Sequence, residues 1–107
     1  IGYDCDLYKG CELVQLKNSQ DKQITKDIRD VDIEDLRGVD SIIHLAGMSN
    51  DPLGEFNPSI TKEINLDSTL KLGNLAKKAG IKRFIYASSQ SMYGVSNTDE
   101  ELVAVIA

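Results

Sequence analysis

Two short apolar runs with a long helix-like stretch between them constrain this chain more than any other feature. The first run is Ser41-Ile42-Ile43-His44-Leu45-Ala46 and the second is Ile81-Lys82-Arg83-Phe84-Ile85-Tyr86-Ala87. The first is nearly continuous in apolarity, as a strand covered on both faces should be. Between them, residues 58–79 read as one helix. Asn57 can cap it, and Pro58 suits a first helical position, where the N–H has no partner in any case. Ile60, Ile64, Leu72, Leu75 and Ala79 recur near one face, Leu66, Leu70 and Ala76 widen that stripe, and Gly80 offers a stop. Strand, helix and strand in this order form a βαβ unit, with parallel strands and a right-handed crossover. The expected class is therefore α/β.

The rest of the chain fits the same alternation. The opening residues end a strand near Asp4, and Gln23-Ile24-Thr25-Lys26 reads as a second short strand. Residues 32–37 read as a short helix, acidic at its start and stopped by Gly38. Residues 12–16 are ambiguous and residues 96–101 read as surface loop. A length of 107 residues suits one domain. The chain begins without Met and ends in an apolar tail, so it is expected to be a piece of something longer. The net charge of −5 leaves no basic excess to neutralise phosphates, which argues against nucleic-acid and anionic-membrane partners. No apolar run is long enough to span a membrane, and the first residues lack the pattern of a secretory signal. Cys5 and Cys11 make neither a disulfide framework nor a zinc site, and are expected as reduced thiols in a cytoplasmic protein. His44, inside an apolar run, is expected to be a packed strand residue rather than a catalytic base.

In open parallel sheets, ligands gather at the carboxyl ends of the strands. Asp4 stands at one such end. Its carboxylate can accept from ribose hydroxyls, or it is an ordinary turn aspartate. Asp27, in Asp27-Ile28-Arg29-Asp30, can accept from an adenine amino group, or it caps a loop. Gly47 after Leu45-Ala46 allows close approach of a phosphate or ribose, or simply ends a strand. Ser88 and Ser89 end the last strand, where hydroxyls can bind a substrate oxygen or shape a turn. No G-x-S-x-G elbow surrounds them, so a hydrolase reading is weak. Asn65, mid-helix, can reach across to a strand end or face solvent.

Taken in order, Gly2-Tyr3-Asp4, Asp27-Ile28-Arg29-Asp30, Ile43-His44-Leu45-Ala46-Gly47, Glu63-Ile64-Asn65-Leu66 and Phe84-Ile85-Tyr86-Ala87-Ser88-Ser89, running into Met92-Tyr93-Gly94, resemble the extended short-chain dehydrogenase/reductase family, in particular its NAD-dependent sugar-nucleotide epimerases and dehydratases. The resemblance implies a Rossmann-type doubly wound parallel sheet, here a partial NAD(P)-binding domain over residues 1–107 holding the second to about the fifth strand. It implies NAD rather than NADP, because the Asp4 carboxylate would repel a ribose 2′-phosphate. Asp4 would hold the adenosine ribose, and Asp27 and Ile28 would contact adenine. Leu45, Ala46 and Gly47 would line the cofactor's ribose and phosphate path. Asn65 would support the active-site region and Ser88 the strand end and cofactor. Ser89 would be the catalytic hydroxyl, bonded to the sugar oxygen that passes between alcohol and ketone. Ser49-Asn50-Asp51-Pro52-Leu53-Gly54 would be the loop leaving the fourth strand.

The implied substrate is a nucleotide sugar, converted by hydride transfer through a keto intermediate, with a homodimer of the full-length protein left open. Two family motifs are absent. No G-x-x-G-x-x-G turn is present, and no Tyr is followed four residues later by Lys. The isolated chain is therefore expected to be inert. The alternative is a non-catalytic dinucleotide-binding or sensing module on the same fold, with a response-regulator-like domain a distant third.

Overall fold

In the computed structural model, residues 1–11, 22–49 and 51–89 are described. The readings made for residues 12–16 and 96–101, for Met92-Tyr93-Gly94 and for the apolar tail lie outside them. The element order is β1 (Gly2–Asp4), β2 (Gln23–Thr25), two 3₁₀ turns (Ile28–Asp30 and Glu34–Leu36), β3 (Ser41–His44), α1 (Asp51–Phe56), α2 (Pro58–Lys62), a π-helical turn (Glu63–Asp67), α3 (Ser68–Ala79) and β4 (Arg83–Tyr86).

β3 and β4 pair in parallel, with Ser41 opposite Arg83 and His44 opposite Tyr86, so the expected βαβ unit is present. β1 and β2 also pair in parallel, Gly2 opposite Gln23 and Asp4 opposite Thr25. Among the described residues these form two two-stranded sheets. The core sits between them. Val31 (1% exposed), Leu36 and Leu72 (4% exposed) form it, with Tyr3 from β1, Ile28, Ile42 from β3 and Leu75 packed against them. No helix among the described residues is long and apolar enough to cross a membrane.

The helix begins as its sequence indicates. The Asn57 side chain accepts from the Ile60 N–H at 3.3 Å, with Pro58 in the first turn. Its end follows the sequence too. Gly80 adopts φ 72°, and the Ile81 N–H returns to the Ala76 carbonyl at 3.0 Å, closing the last turn around a left-handed residue. Between these ends the expectation of one regular helix fails, because residues 63–67 form a π turn. One extra residue in a turn advances every later side chain by about 100°. The apolar stripe is accordingly narrower than its sequence spacing implies. Ser68, Leu72 and Ala76, each four apart, are buried, whereas Leu66, Leu70 and Ala79 are exposed.

Three smaller expectations change. Within residues 32–37 the short helix is a 3₁₀ helix over Glu34–Leu36 rather than an α-helix, and the Asp32 Oδ1 accepts from the N–H groups of both Glu34 and Asp35, at 2.9 and 3.3 Å. The segment after β3, read as loop, turns helical at Asp51. β3 is not covered on both faces, since Ile43 is 65% exposed and all of β4 is exposed.

Candidate functional site

Parallel pairing fixes which strand ends lie side by side. Asp4 ends β1 opposite Thr25 of β2, so Asp4 and the segment Lys26-Asp27-Ile28 leave the first sheet together. His44 ends β3 opposite Tyr86, so Leu45-Ala46-Gly47 and Ala87-Ser88-Ser89 leave the second sheet together, and the Ala87 N–H donates to the His44 carbonyl at 3.1 Å. A cleft of about 720 Å³ lies between β1 and β3. Asp4, Ile28, Leu45 and Ala46 are among the residues that line it. Asp27, Gly47, Asn65, Ser88 and Ser89 do not line it. Ser88 and Ser89 stand exposed just beyond β4.

At the first pair of ends the carboxylates are already partly engaged. Asp4 is exposed, and its Oδ1 accepts from the Asp6 N–H, which holds Asp6 in a left-handed conformation (φ 57°) that aspartate tolerates. The second Asp4 oxygen remains available. Asp27 faces Arg29. Its Oδ1 accepts from the Arg29 backbone N–H at 2.8 Å and from Nε at 3.0 Å, and its Oδ2 accepts from Nη2 at 2.8 Å. These guanidinium bonds hold its carboxyl below the usual carboxylate range. A carboxylate has about four acceptor positions. The three donors leave one on Oδ2, so Asp27 is ionised, oriented and able to take one further donor.

The surrounding loop is pinned in several places. The Tyr3 hydroxyl donates to the Asp27 carbonyl at 3.1 Å. Burial, together with the nearby Asp35 charge, pushes the Tyr3 hydroxyl up to about 12, so it stays a donor. Lys26 Nζ sits between Asp32 (2.8 Å) and Asp35 (2.7 Å), and its hydrogen bond holds the Asp32 carboxyl below its ordinary range. Lys71 from α3 donates to the Arg29 carbonyl at 2.7 Å, fixing this loop to the helix.

At the second pair of ends, Asn65 reaches across from the π turn, the first of the two readings its position allowed. Its Oδ1 accepts from the Met48 N–H at 2.7 Å and its Nδ2 donates to the Met48 carbonyl at 2.9 Å. The two partners settle which amide atom is which. Gly47 lies against the same amide: a Cβ built there would stand 3.3 Å from Asn65 Oδ1, tighter than ordinary contact. His44 is buried (3% exposed), as its place in an apolar run implies, with its ring against Phe84 and Tyr86 of β4. Its Nε2 lies 2.8 Å from Thr69 Oγ1. Thr69 Oγ1 donates its single proton to the Asn65 carbonyl at 2.8 Å, so His44 must be the donor and carries its proton on Nε2. Burial pushes the His44 pKa below its ordinary value.

Sequence reasoning missed Met48 and Thr69. The available signal was the four-residue spacing of Asn65 and Thr69, which puts both on one helix face. Met48 meets Asn65 through its backbone alone, which carries no signal in residue type.

The chain matches the family described as the NAD dependent epimerase/dehydratase family over residues 7–105. No curated protein gives a significant match. Among solved structures, it is similar to the UDP-N-acetylglucosamine 4-epimerase from Methanobrevibacter ruminantium M1 in complex with UDP-N-acetylmuramic acid, at 32% identity and a TM-score of 0.66. That match covers 74% of this chain and 26% of the epimerase, so the chain spans about a quarter of that protein's length. A family match over nearly all of its residues, joined to a parallel α/β fold of Rossmann-like kind, establishes that this chain belongs to the NAD dependent epimerase/dehydratase family.

Proposed function

We propose that residues 1–107 form part of the cofactor domain of an NAD-dependent enzyme that epimerises or dehydrates a nucleotide sugar. The observation that carries this reading is the grouping of Asp4 with Asp27 and Ile28 at one pair of parallel strand ends, and of Gly47 with Ser88 and Ser89 at the other. The residues suit a dinucleotide. Asp4 has a free carboxylate oxygen for a ribose diol, and Asp27 has one acceptor position left for an adenine amino group. Leu45, Ala46 and Gly47 offer an apolar, then side-chain-free path along the cofactor. When bound, the nicotinamide supplies the hydride acceptor. The chain's own residues bind and orient. Asp4 selects against a ribose 2′-phosphate by charge, Asn65 and Ser88 support the strand ends, and Ser89 donates a hydrogen bond to the reacting sugar oxygen. The similar epimerase's UDP-sugar supports a nucleotide-sugar substrate. Cys5 and Cys11, both free and exposed, fit a reducing, cytoplasmic compartment. A homodimer of the full-length protein is compatible with this reading.

The isolated chain should not turn substrate over, because it holds neither the G-x-x-G-x-x-G turn that would receive the pyrophosphate nor a Tyr-x-x-x-Lys pair to move the hydroxyl proton. Calorimetric titration with NAD and NADP tests the binding. Tighter NAD binding is expected in the intact full-length protein, with the preference shrinking in Asp4→Asn. Tighter binding of NADP would overturn the assignment of Asp4. Epimerisation of UDP-N-acetylglucosamine by the chain alone would overturn its inertness. The second reading, a non-catalytic dinucleotide-binding or sensing module on the same fold, would be favoured by cofactor binding without turnover in the full-length protein.

A further inference from the structure

Two side chains outside every role above close a circuit around the expected cofactor path. The π turn is stitched from within by consecutive hydroxyls. Ser68, 2% exposed, donates from Oγ to the Glu63 carbonyl at 2.8 Å, and its backbone N–H goes to the same carbonyl. Thr69 donates to the Asn65 carbonyl. Hydroxyls that bond back to preceding carbonyls compete with the regular helical ladder and deform it, and π turns recur where a helix must aim one side chain. The side chain aimed here is Asn65, which grips Met48 at two points.

We propose that Thr69, held by His44, is a positioning residue that fixes the backbone between His44 and Met48. His44 ends β3 and is tied to Thr69, and Met48 lies four residues later and is tied to Asn65, four residues before Thr69. One helical turn therefore pins both ends of a single five-residue segment. The path of Leu45-Ala46-Gly47 follows from those two anchors. Thr69 stands at the junction, because its one hydroxyl accepts from His44 and donates to the Asn65 main chain. The value of holding this segment rests on the proposed function, in which it borders the cofactor.

The test uses the 107-residue chain with Thr69→Val, which keeps shape and removes the hydroxyl, and Thr69→Ser, which restores it. In Thr69→Val the Met48 amide should exchange with solvent about tenfold faster, the order set by one lost hydrogen bond. The Leu72 and Ala76 amides should keep their rates, the full-length protein carrying Thr69→Val should bind NAD several-fold more weakly, and Thr69→Ser should recover both Met48 protection and affinity. Unchanged Met48 exchange in Thr69→Val, or equal acceleration at Leu72 and Ala76, would overturn the proposal. The ring nitrogens of the unmodified chain give a second test that needs no variant: nitrogen NMR should find the His44 proton on Nε2, and a proton on Nδ1 alone would overturn it. Failure of the full-length protein to bind NAD, with the Met48 response intact, would overturn the functional reading and support the positioning device.

Discussion

Replacing Asn65 by aspartate should convert a satisfied contact into a pH-dependent fault. The amide gives one acceptor and one donor to Met48, at 2.7 and 2.9 Å, in a half-buried setting. Each such bond has a net worth of about 0.5–1.5 kcal/mol, so Asn65→Leu, which removes both, should cost about 1–3 kcal/mol. Asn65→Asp keeps the acceptor but sets a second carboxylate oxygen against the Met48 carbonyl. The lost donor and the facing oxygens together should cost about 2–4 kcal/mol at pH 7. A protonated aspartate can donate to that carbonyl again, so the folded state favours the proton and raises the folded pKa. Two kcal/mol of repulsion corresponds to about 1.5 pK units, from about 3.9 to about 5.4. The sign follows. The deficit relative to the unmodified chain is full above the folded pKa and shrinks as pH falls through it. Urea unfolding of the three proteins at pH 7 and pH 5 measures this. A deficit for Asn65→Asp that is the same at both pH values, or an Asn65→Leu variant as stable as the unmodified chain, would refute the two-point clamp.

Two further outcomes follow from the core. His44 is buried with its pKa lowered by desolvation, so acid favours the unfolded chain: the urea midpoint should be flat above about pH 7 and decline as pH falls below the ordinary value of 6.5. A midpoint independent of pH between 7 and 5.5 would contradict the burial of this ring. Leu72→Ala empties the centre of the Val31–Leu36–Leu72 cluster and should cost about 2–5 kcal/mol in chemical denaturation, whereas Leu70→Ala, on the exposed side of the same helix, should cost well under 1 kcal/mol.

The helix ends were legible because their signals are local. Asn57, Pro58 and Gly80 act within one turn of their own position, and each does what its residue type dictates. The strands were legible in place but ran long, since apolarity continues through Leu45-Ala46 and Ala87 after the ladder has ended. The π turn was not legible. It depends on where two hydroxyls find carbonyls, and on a histidine 25 residues away that sets one of them. The exposure of Leu66 and Leu70 was lost with it, because both were assigned to a stripe by a regular period. At the candidate site, the order of the strand-end residues could be read from the chain, and the family followed from that order. The engagement of Asp27 by Arg29, two residues on, could not, because side-chain direction in a tight turn has no period to reveal it.

The split sheet has a consequence for how the chain behaves in concentrated solution. Each of the four strands has one hydrogen-bonded neighbour among the described residues, so each presents one edge of backbone donors and acceptors that those residues leave unpaired. Natural sheets guard such edges with lysine, proline or bulges, because a bare edge templates the addition of another strand. Neither Gly2-Tyr3-Asp4 nor Ser41-Ile42-Ile43-His44 carries lysine or proline. β3 adds an exposed Ile43 to such an edge, so Ile43→Lys is the natural gatekeeper for any work that needs the isolated chain monodisperse.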